Sequence, residues 1–195
     1  MIFTLLYSLV AYCIGSISSA VLVSRGLHLP DPRTAGSQNP GTTNVLRLGG
    51  KKAAILTLLG DALKGFLAVF TASYFDLSDT VIGFVSIAVV LGHLYPVFFK
   101  FKGGKGVATA LGVAFGLSGS IGLLFLVTWG IVVGIFRISS LGALVTAFLA
   151  PFYVFFIKDT TLALAMLIIS LLIFWRHRSN IQRLIKGIEP KIGKK

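Results

Sequence analysis

Apolar residues in this chain neither alternate nor recur at amphipathic spacing. They run on unbroken for a dozen to two dozen positions between short polar turns, near residues 2–24, 53–75, 80–99, 106–117, 120–136, 139–157 and 160–175. A hydrocarbon core takes about 20 apolar residues per helix, so helices apolar on every side predict a polytopic membrane bundle. The first run has no basic residues ahead of it, is too long for a signal peptide's core and is followed by Arg25 rather than a small-residue cleavage site, so it reads as a retained helix. The stretch from 106 to 136 is too long for one span, and Ser118-Gly119-Ser120 divides it. That division gives seven helices, the fourth of them short.

The polar turns are unequal, and three of them carry concentrated chemistry. The first, "AGSQNPGTTNVLRLGGKK" at residues 35–52, reads as a short interfacial helix. Asn39 is the expected N-cap, Pro40 the first helical residue, and Gly49 and Gly50 the stop. Thr43 and Arg47 then share a face beside Asn44, and Ser37 precedes the helix N-terminus, where free N–H groups favour an anion. In the second, "GHLYPVFFKFKGGKGVAT" at residues 92–109, Gly103, Gly104 and Gly106 allow successive amides to converge as a nest beside Lys105. It is not a Walker loop, because G-x-x-x-x-G-K-[ST] is absent. The third, "RHRSNIQRLIKGIEP" at residues 176–190, continues the last helix with Arg176, Asn180 and Arg183 at helical spacing. His177 lies near them, and Ile181, Leu184, Ile185 and Ile188 form an opposite apolar stripe. A basic amphipathic helix on anionic lipid is an alternative reading of this segment.

Composition and charge orient the bundle. Hydrophobic residues make up 55% and charged residues 12%, with mean hydropathy +0.92, against about 25% charged in soluble domains. The 195 residues read as a single domain, 1–195, without a linker or low-complexity tail. With the N-terminus outside, seven helices collect 16 of the 18 Lys+Arg on the inner side, leaving only Lys64 within a helix and Lys158 outside. The three polar segments all fall on that inner face. The net charge of +12 suits membrane orientation and an anionic substrate, and the spread of basic residues over short loops argues against nucleic acid.

What is scarce narrows the chemistry. Six Asp+Glu, three of them (Asp76, Asp79, Asp159) in outer turns, exclude a clustered carboxylate metal site, and lone Cys13 excludes a cysteine-rich one. Within the second helix Asp61 and Lys64 stand three apart and predict a structural ion pair, since either charge alone is costly there. Gly112 with Gly116 and Gly130 with Gly134 have the spacing of helix-packing contacts. Neither His93 nor His177 opens an H-x-x-x-x-D pattern, and Ser37 has no base nearby in sequence. The reaction expected is one that needs little general-base power on a phosphorylated substrate at the lipid boundary. A transporter of an organic phosphate is the rival reading, although binding sites near the midplane of internal repeats are expected there.

The three segments, in order and at suitable spacing, resemble the motifs of the bacterial acyl-phosphate:glycerol-3-phosphate acyltransferases of the PlsY type, and length and hydropathy agree along essentially the whole chain. The resemblance implies transfer of a fatty acyl group from acyl phosphate to the 1-hydroxyl of glycerol 3-phosphate. The products would be lysophosphatidic acid and phosphate, made in the first step of phospholipid biosynthesis at the cytoplasmic face of a bacterial inner membrane. An acyl-enzyme, a cofactor and an obligatory protein partner are not expected. Ser37, Arg47, Lys105, His177 and Asn180 are the catalytic candidates. Asn39, Thr43, Asn44, His93, Lys102, Gly103, Gly104, Gly106, Thr109, Arg183 and Glu189 are the binding candidates. The proton acceptor is left open among His177, His93 and a substrate phosphate.

Overall fold

The computed structural model describes residues 2–193, and its regular elements are all helical. They are α1 (Ile2–Gly15), α2 (Ser19–Gly26), α3 (Thr42–Tyr74), α4 (Asp79–Leu94), α5 (Val107–Leu117), α6 (Gly119–Phe136), α7 (Ser139–Ile157), α8 (Thr160–Arg176) and α9 (Arg178–Ile185), with a 3-10 turn at Val97–Phe99. Five of these stretches are long and apolar enough to cross a membrane, and α8 reaches that length only when counted together with α9 across a 62° bend. The fourth apolar run becomes α5, whose 11 residues span about 16 Å at 1.5 Å each, roughly half a bilayer core.

Two local expectations give way. The helix expected to open at Asn39 begins at Thr42 with Gly41 as its N-cap. The Asn39 carbonyl is instead used in a tight turn with the Gly41 N–H at 2.9 Å. Gly50 breaks the helix as expected, at φ +75°, but the chain bends there and resumes at once, so the short helix is the first part of the 33-residue α3. The first run is broken as well, at Ser16–Ser18 between α1 and α2.

The break and the buried charges explain each other. The Lys64 ammonium lies 2.9 Å from Asp61 Oδ1 and donates to the Ile17 carbonyl at 2.7 Å, so it satisfies a backbone oxygen that the α1–α2 break removes from helical bonding. Both side chains are buried, where a lone charge would be expensive.

Small residues bring the helices together. Gly15 and Gly92 bring α1 and α4 into backbone contact, facing the Val89 and Tyr12 carbonyls, and Gly112 and Gly116 let α5 lie on Ala62 and Val69 of α3. The second glycine pair departs from expectation, since a Cβ at Gly130 or Gly134 would meet nothing within 4 Å. The core runs through Val85, Val89, Val113, Ile121, Phe125, Met166 and Ile169. Large apolar side chains such as Leu59, Leu63, Phe148, Phe152 and Leu171 are exposed around the bundle, which is the distribution a lipid-facing surface requires.

Candidate active site

At one end of the bundle the start of α3, the start of α5, the α6–α7 turn and the α8–α9 bend surround a cavity of about 620 Å³. Its rim is cationic and polar, with Ser37, Arg47, Lys105, Arg176, Asn180 and Arg183. The rest of its lining is apolar, with Leu58, Leu111, Phe125, Leu126 and Trp129. Segments more than 130 residues apart in sequence therefore share one wall.

Lys105 is the centre of the polar rim. Its ammonium donates to Asn180 Oδ1. Asn180 in turn donates to Glu189 Oε1 at 2.6 Å, Ser140 donates to the same oxygen at 2.7 Å, and Arg183 Nε donates to Oε2 at 2.7 Å. Burial strips water from Lys105; the Glu189 carboxylate offsets part of that cost, while Arg183, Arg176 and Arg47 add like charge, and its pKa falls to about 8. It is still mostly charged at neutral pH. Glu189 is also partly desolvated, but its hydrogen bonds from Ser140, Asn180 and Arg183 hold its pKa below the usual carboxylate value.

His177 is 3% exposed, and its Nδ1 lies 2.9 Å from the Ile173 carbonyl. A carbonyl only accepts, so Nδ1 carries the proton and Nε2 is left as an acceptor. Burial and the nearby Lys105 charge lower the imidazole's pKa to about 4, outweighing the Ile173 bond. His177 is therefore neutral across the physiological range and a weak base.

The glycine–lysine loop is built the opposite way from a nest. Gly104 N–H donates to the His93 carbonyl at 3.2 Å, and the loop's carbonyls, not its amides, face a cation. Arg176 Nε donates to the Gly104 oxygen at 3.0 Å and Nη2 to the Gly103 oxygen at 2.9 Å, with the guanidinium 5.5 Å above the Tyr95 ring. Gly103 is required because a Cβ would run into the His93 and Leu94 carbonyls, and one at Gly104 would strike His93 Nε2. Gly106, at φ +88°, starts α5 and borders the cavity. The Gly104 amide is thus spent within the protein, and neither Gly103 nor Gly104 borders the cavity: these two glycines let the backbone pack closely beside Lys105, and of the three glycines only Gly106 lines the cavity.

Other candidates divide in the same manner. Ser37, Asn39, Thr43, Arg47, His93, Gly106 and Arg183 border the cavity with Lys105, His177 and Asn180. Lys102 and Thr109 do not: Lys102 is exposed away from the cavity, and Thr109 is fully buried where α5 meets α3. Asn44 borders the cavity, but its polar atoms are taken. Its Oδ1 accepts from Ser37 N at 2.9 Å, and its Nδ2 donates to the Pro32 and Ala35 carbonyls at 3.0 Å each. It shapes the Ser37 loop rather than offering a donor to a ligand. Glu189 is likewise committed on both oxygens, and a carboxylate repels an anion, so it belongs to the wall that places Asn180. Asp61 reaches the cavity's edge, with Oδ1 3.5 Å from His93 Nδ1, so the buried pair also backs the histidine that supports Gly104.

Sequence reading missed the α7 contribution. Ser139 lies 3.2 Å from the Thr43 hydroxyl and Ser140 binds Glu189, both just past lone Arg137 at the helix start. Two adjacent hydroxyls at the inner end of an apolar helix were the available signal.

The chain is similar over nearly its whole length to known glycerol-3-phosphate acyltransferases. The family model for glycerol-3-phosphate acyltransferase matches residues 5–187. A glycerol-3-phosphate acyltransferase of Methylococcus capsulatus is 55% identical over 186 residues, covering 95% of this chain and 94% of that protein. One of Burkholderia ambifaria is 56% identical over 194 residues, covering 98% and 92%. Among solved structures, PlsY, an integral membrane glycerol 3-phosphate acyltransferase, superposes in its glycerol 3-phosphate form with TM-score 0.92 at 40% identity, over 97% of this chain and 96% of that one. Its lysophosphatidic acid form gives TM-score 0.90 at 38% identity, over 97% and 95%.

Proposed function

Because the chain belongs to the glycerol-3-phosphate acyltransferase family, we propose that it moves a fatty acyl group from acyl phosphate to the 1-hydroxyl of glycerol 3-phosphate by direct attack, without an acyl-enzyme. The observation that carries this reading is the cavity's two-sided lining. Arg47, Lys105 and Arg183 offer charge to phosphate, and Leu58, Leu111, Phe125 and Leu126 offer an apolar wall to an acyl chain. At about 0.8 kcal/mol per buried CH₂, a long chain stays among apolar surfaces while its head group reaches the rim.

In this mechanism Arg47, Lys105 and the N–H of Gly106 hold phosphate and offset charge that grows on the reacting carbonyl oxygen. Ser37, Asn39, Thr43, Asn180 and His177 orient glycerol 3-phosphate, with His177 Nε2 accepting a hydrogen bond from a substrate hydroxyl. The 1-hydroxyl oxygen forms a bond to the acyl carbon, the bond from that carbon to the phosphate oxygen breaks, and inorganic phosphate departs. His177 is too weak a base to keep the proton, and His93 has its ring under Gly104. A substrate phosphate, with a second pKa near 6 by analogy with phosphoserine, is therefore assigned as acceptor.

The same reading makes the whole chain, 1–195, one polytopic domain of seven membrane-embedded helices. The N-terminus is outside and the cavity is at the cytoplasmic face of the bacterial inner membrane, supported by the 16 inner basic residues. Purified protein in detergent, given acyl phosphate and glycerol 3-phosphate, should release one phosphate per lysophosphatidic acid formed. Acyl phosphate should win in competition with acyl-coenzyme A and acyl-carrier protein. Preference for a thioester would overturn the donor, and acylation of Ser37 by acyl phosphate alone would overturn direct attack. Vesicle uptake of glycerol 3-phosphate without product would favour a transporter.

A further inference from the structure

Among the described residues, nothing covers the face of α9 and of the tail behind it that is turned away from the cavity. Asn180 is 6% exposed and His177 3%, whereas Ile185 is 81% and Ile188 63% exposed, and Lys186 and Lys191 are exposed beside them. The helix bends 62° from α8, which turns it from the spanning direction toward the plane of the membrane surface. At the bend Trp175 is exposed, with the Arg178 guanidinium 5.1 Å above its ring. An amphipathic ring next to a cation is the pairing found at headgroup level. Exposed isoleucines flanked by lysines, at the end of a spanning helix and on the side where basic residues collect, complement an anionic leaflet: apolar side chains for the acyl boundary and ammonium groups for headgroups.

The attachment of α9 to the rest of the protein is slight and polar. Asn180 and Arg183 are tied to Glu189 within the segment itself, and the segment is held to the rest of the protein from Lys105 to Asn180, from Ser140 to Glu189 at 2.7 Å and from the Ile192 N–H to the Arg137 carbonyl at 2.7 Å. We propose that α9 and the tail behind it form an interfacial clamp for anionic lipid headgroups, contacting them through Lys186, Lys191, Ile185 and Ile188, and that this contact seats Asn180, Arg183 and Glu189 in the cavity wall. The consequence for activity rests on the acyltransferase reading; the lipid contact does not.

The test uses the full chain in nanodiscs of phosphatidylcholine alone and with increasing phosphatidylglycerol, reading hydrogen exchange of residues 178–192 and the KM for glycerol 3-phosphate. A basic residue near a charged membrane surface changes affinity about fivefold. Anionic lipid should therefore slow exchange across α9 about fivefold and lower KM severalfold, with kcat little changed. In Lys186→Gln/Lys191→Gln both responses should flatten, while activity in phosphatidylcholine discs matches the parent. Ile185→Ser/Ile188→Ser should lose exchange protection in every disc. Exchange across α9 that ignores phosphatidylglycerol, or a response that survives undiminished in the lysine variant, overturns the clamp. Exchange protection without any acyl transfer would sustain the clamp and overturn the catalytic reading. Protection that depends on protein concentration and not on lipid charge would assign the face to a second copy and overturn the lipid contact.

Discussion

Lys64 and Lys105 are both lysines drawn out of bulk water, and the protein treats them in opposite ways. Lys64 is closed off: a carboxylate at 2.9 Å cancels its charge and the Ile17 carbonyl takes a second donor. Lys105 is compensated only in part: its direct partner is the neutral Asn180 oxygen, the Glu189 carboxylate beyond it offsets some of the charge, and three arginines work against that. The first arrangement stabilises a broken helix inside the bundle. The second holds positive charge in a cavity at a cost to folding, and an anion arriving there supplies the missing counter-charge. A buried charge that the fold compensates fully serves as a strut, and one that it compensates only in part is the candidate for binding an anion.

Breaking each lysine should give opposite phenotypes. Asp61→Ala strands the Lys64 ammonium and should cost about 3–5 kcal/mol of stability, read as loss of the monodisperse species in detergent and a lower Tm. Lys105→Ala should leave Tm within a few degrees and lower kcat/KM about 10²- to 10³-fold. An unstable Lys105→Ala protein together with a stable, inactive Asp61→Ala protein would reverse the comparison.

The pH profile sharpens it. Lys105 is charged below its pKa of about 8 and neutral above it, so kcat/KM for glycerol 3-phosphate should fall as pH rises through about 8, approaching tenfold per pH unit. Lys105→Arg keeps its charge and should shift this limb to higher pH. Neutral His177 should contribute no limb near pH 6.5.

Smaller effects follow from residues that shape the rim without facing the ligand. Asn44→Ala frees the Ser37 N–H and the Pro32 and Ala35 carbonyls, which should cost about 1–3 kcal/mol and raise KM for glycerol 3-phosphate more than it lowers kcat. The glycine pairs should move stability alone, and with opposite sign. Gly112→Ala should lower Tm, at about 1–3 kcal/mol, by pressing on the Ala62 carbonyl. Gly130→Ala should be neutral or gain up to about 1 kcal/mol.

Much of the fold was legible because its signals are local. Each apolar run becomes a helix or a broken helix within a few residues of its expected bounds, and Asp61 with Lys64 is readable as i,i+3 neighbours. The N-cap was misplaced because Asn39 and Pro40 satisfy the rule for a helix start equally well in a turn. Gly41 then serves with backbone alone. Gly130 and Gly134 were misread because small-residue spacing names a face but not its occupant. The glycine–lysine loop departs further from expectation at Gly103 and Gly104. Three glycines permit either amides or carbonyls to converge, and it is Arg176, seventy residues on, that takes the carbonyls.

By itself the sequence determined the membrane setting and marked out the three polar segments that the structure brings to one end of the bundle. Those outcomes follow from costs borne residue by residue: apolar surface in water and charge in hydrocarbon. Only the tertiary structure decided which polar groups are spent and which remain for a ligand. Asn44 and Glu189 looked as available as Lys105. Hydrogen-bond capacity is consumed by partners remote in the chain, and what the fold leaves unconsumed is known only when every partner is in place.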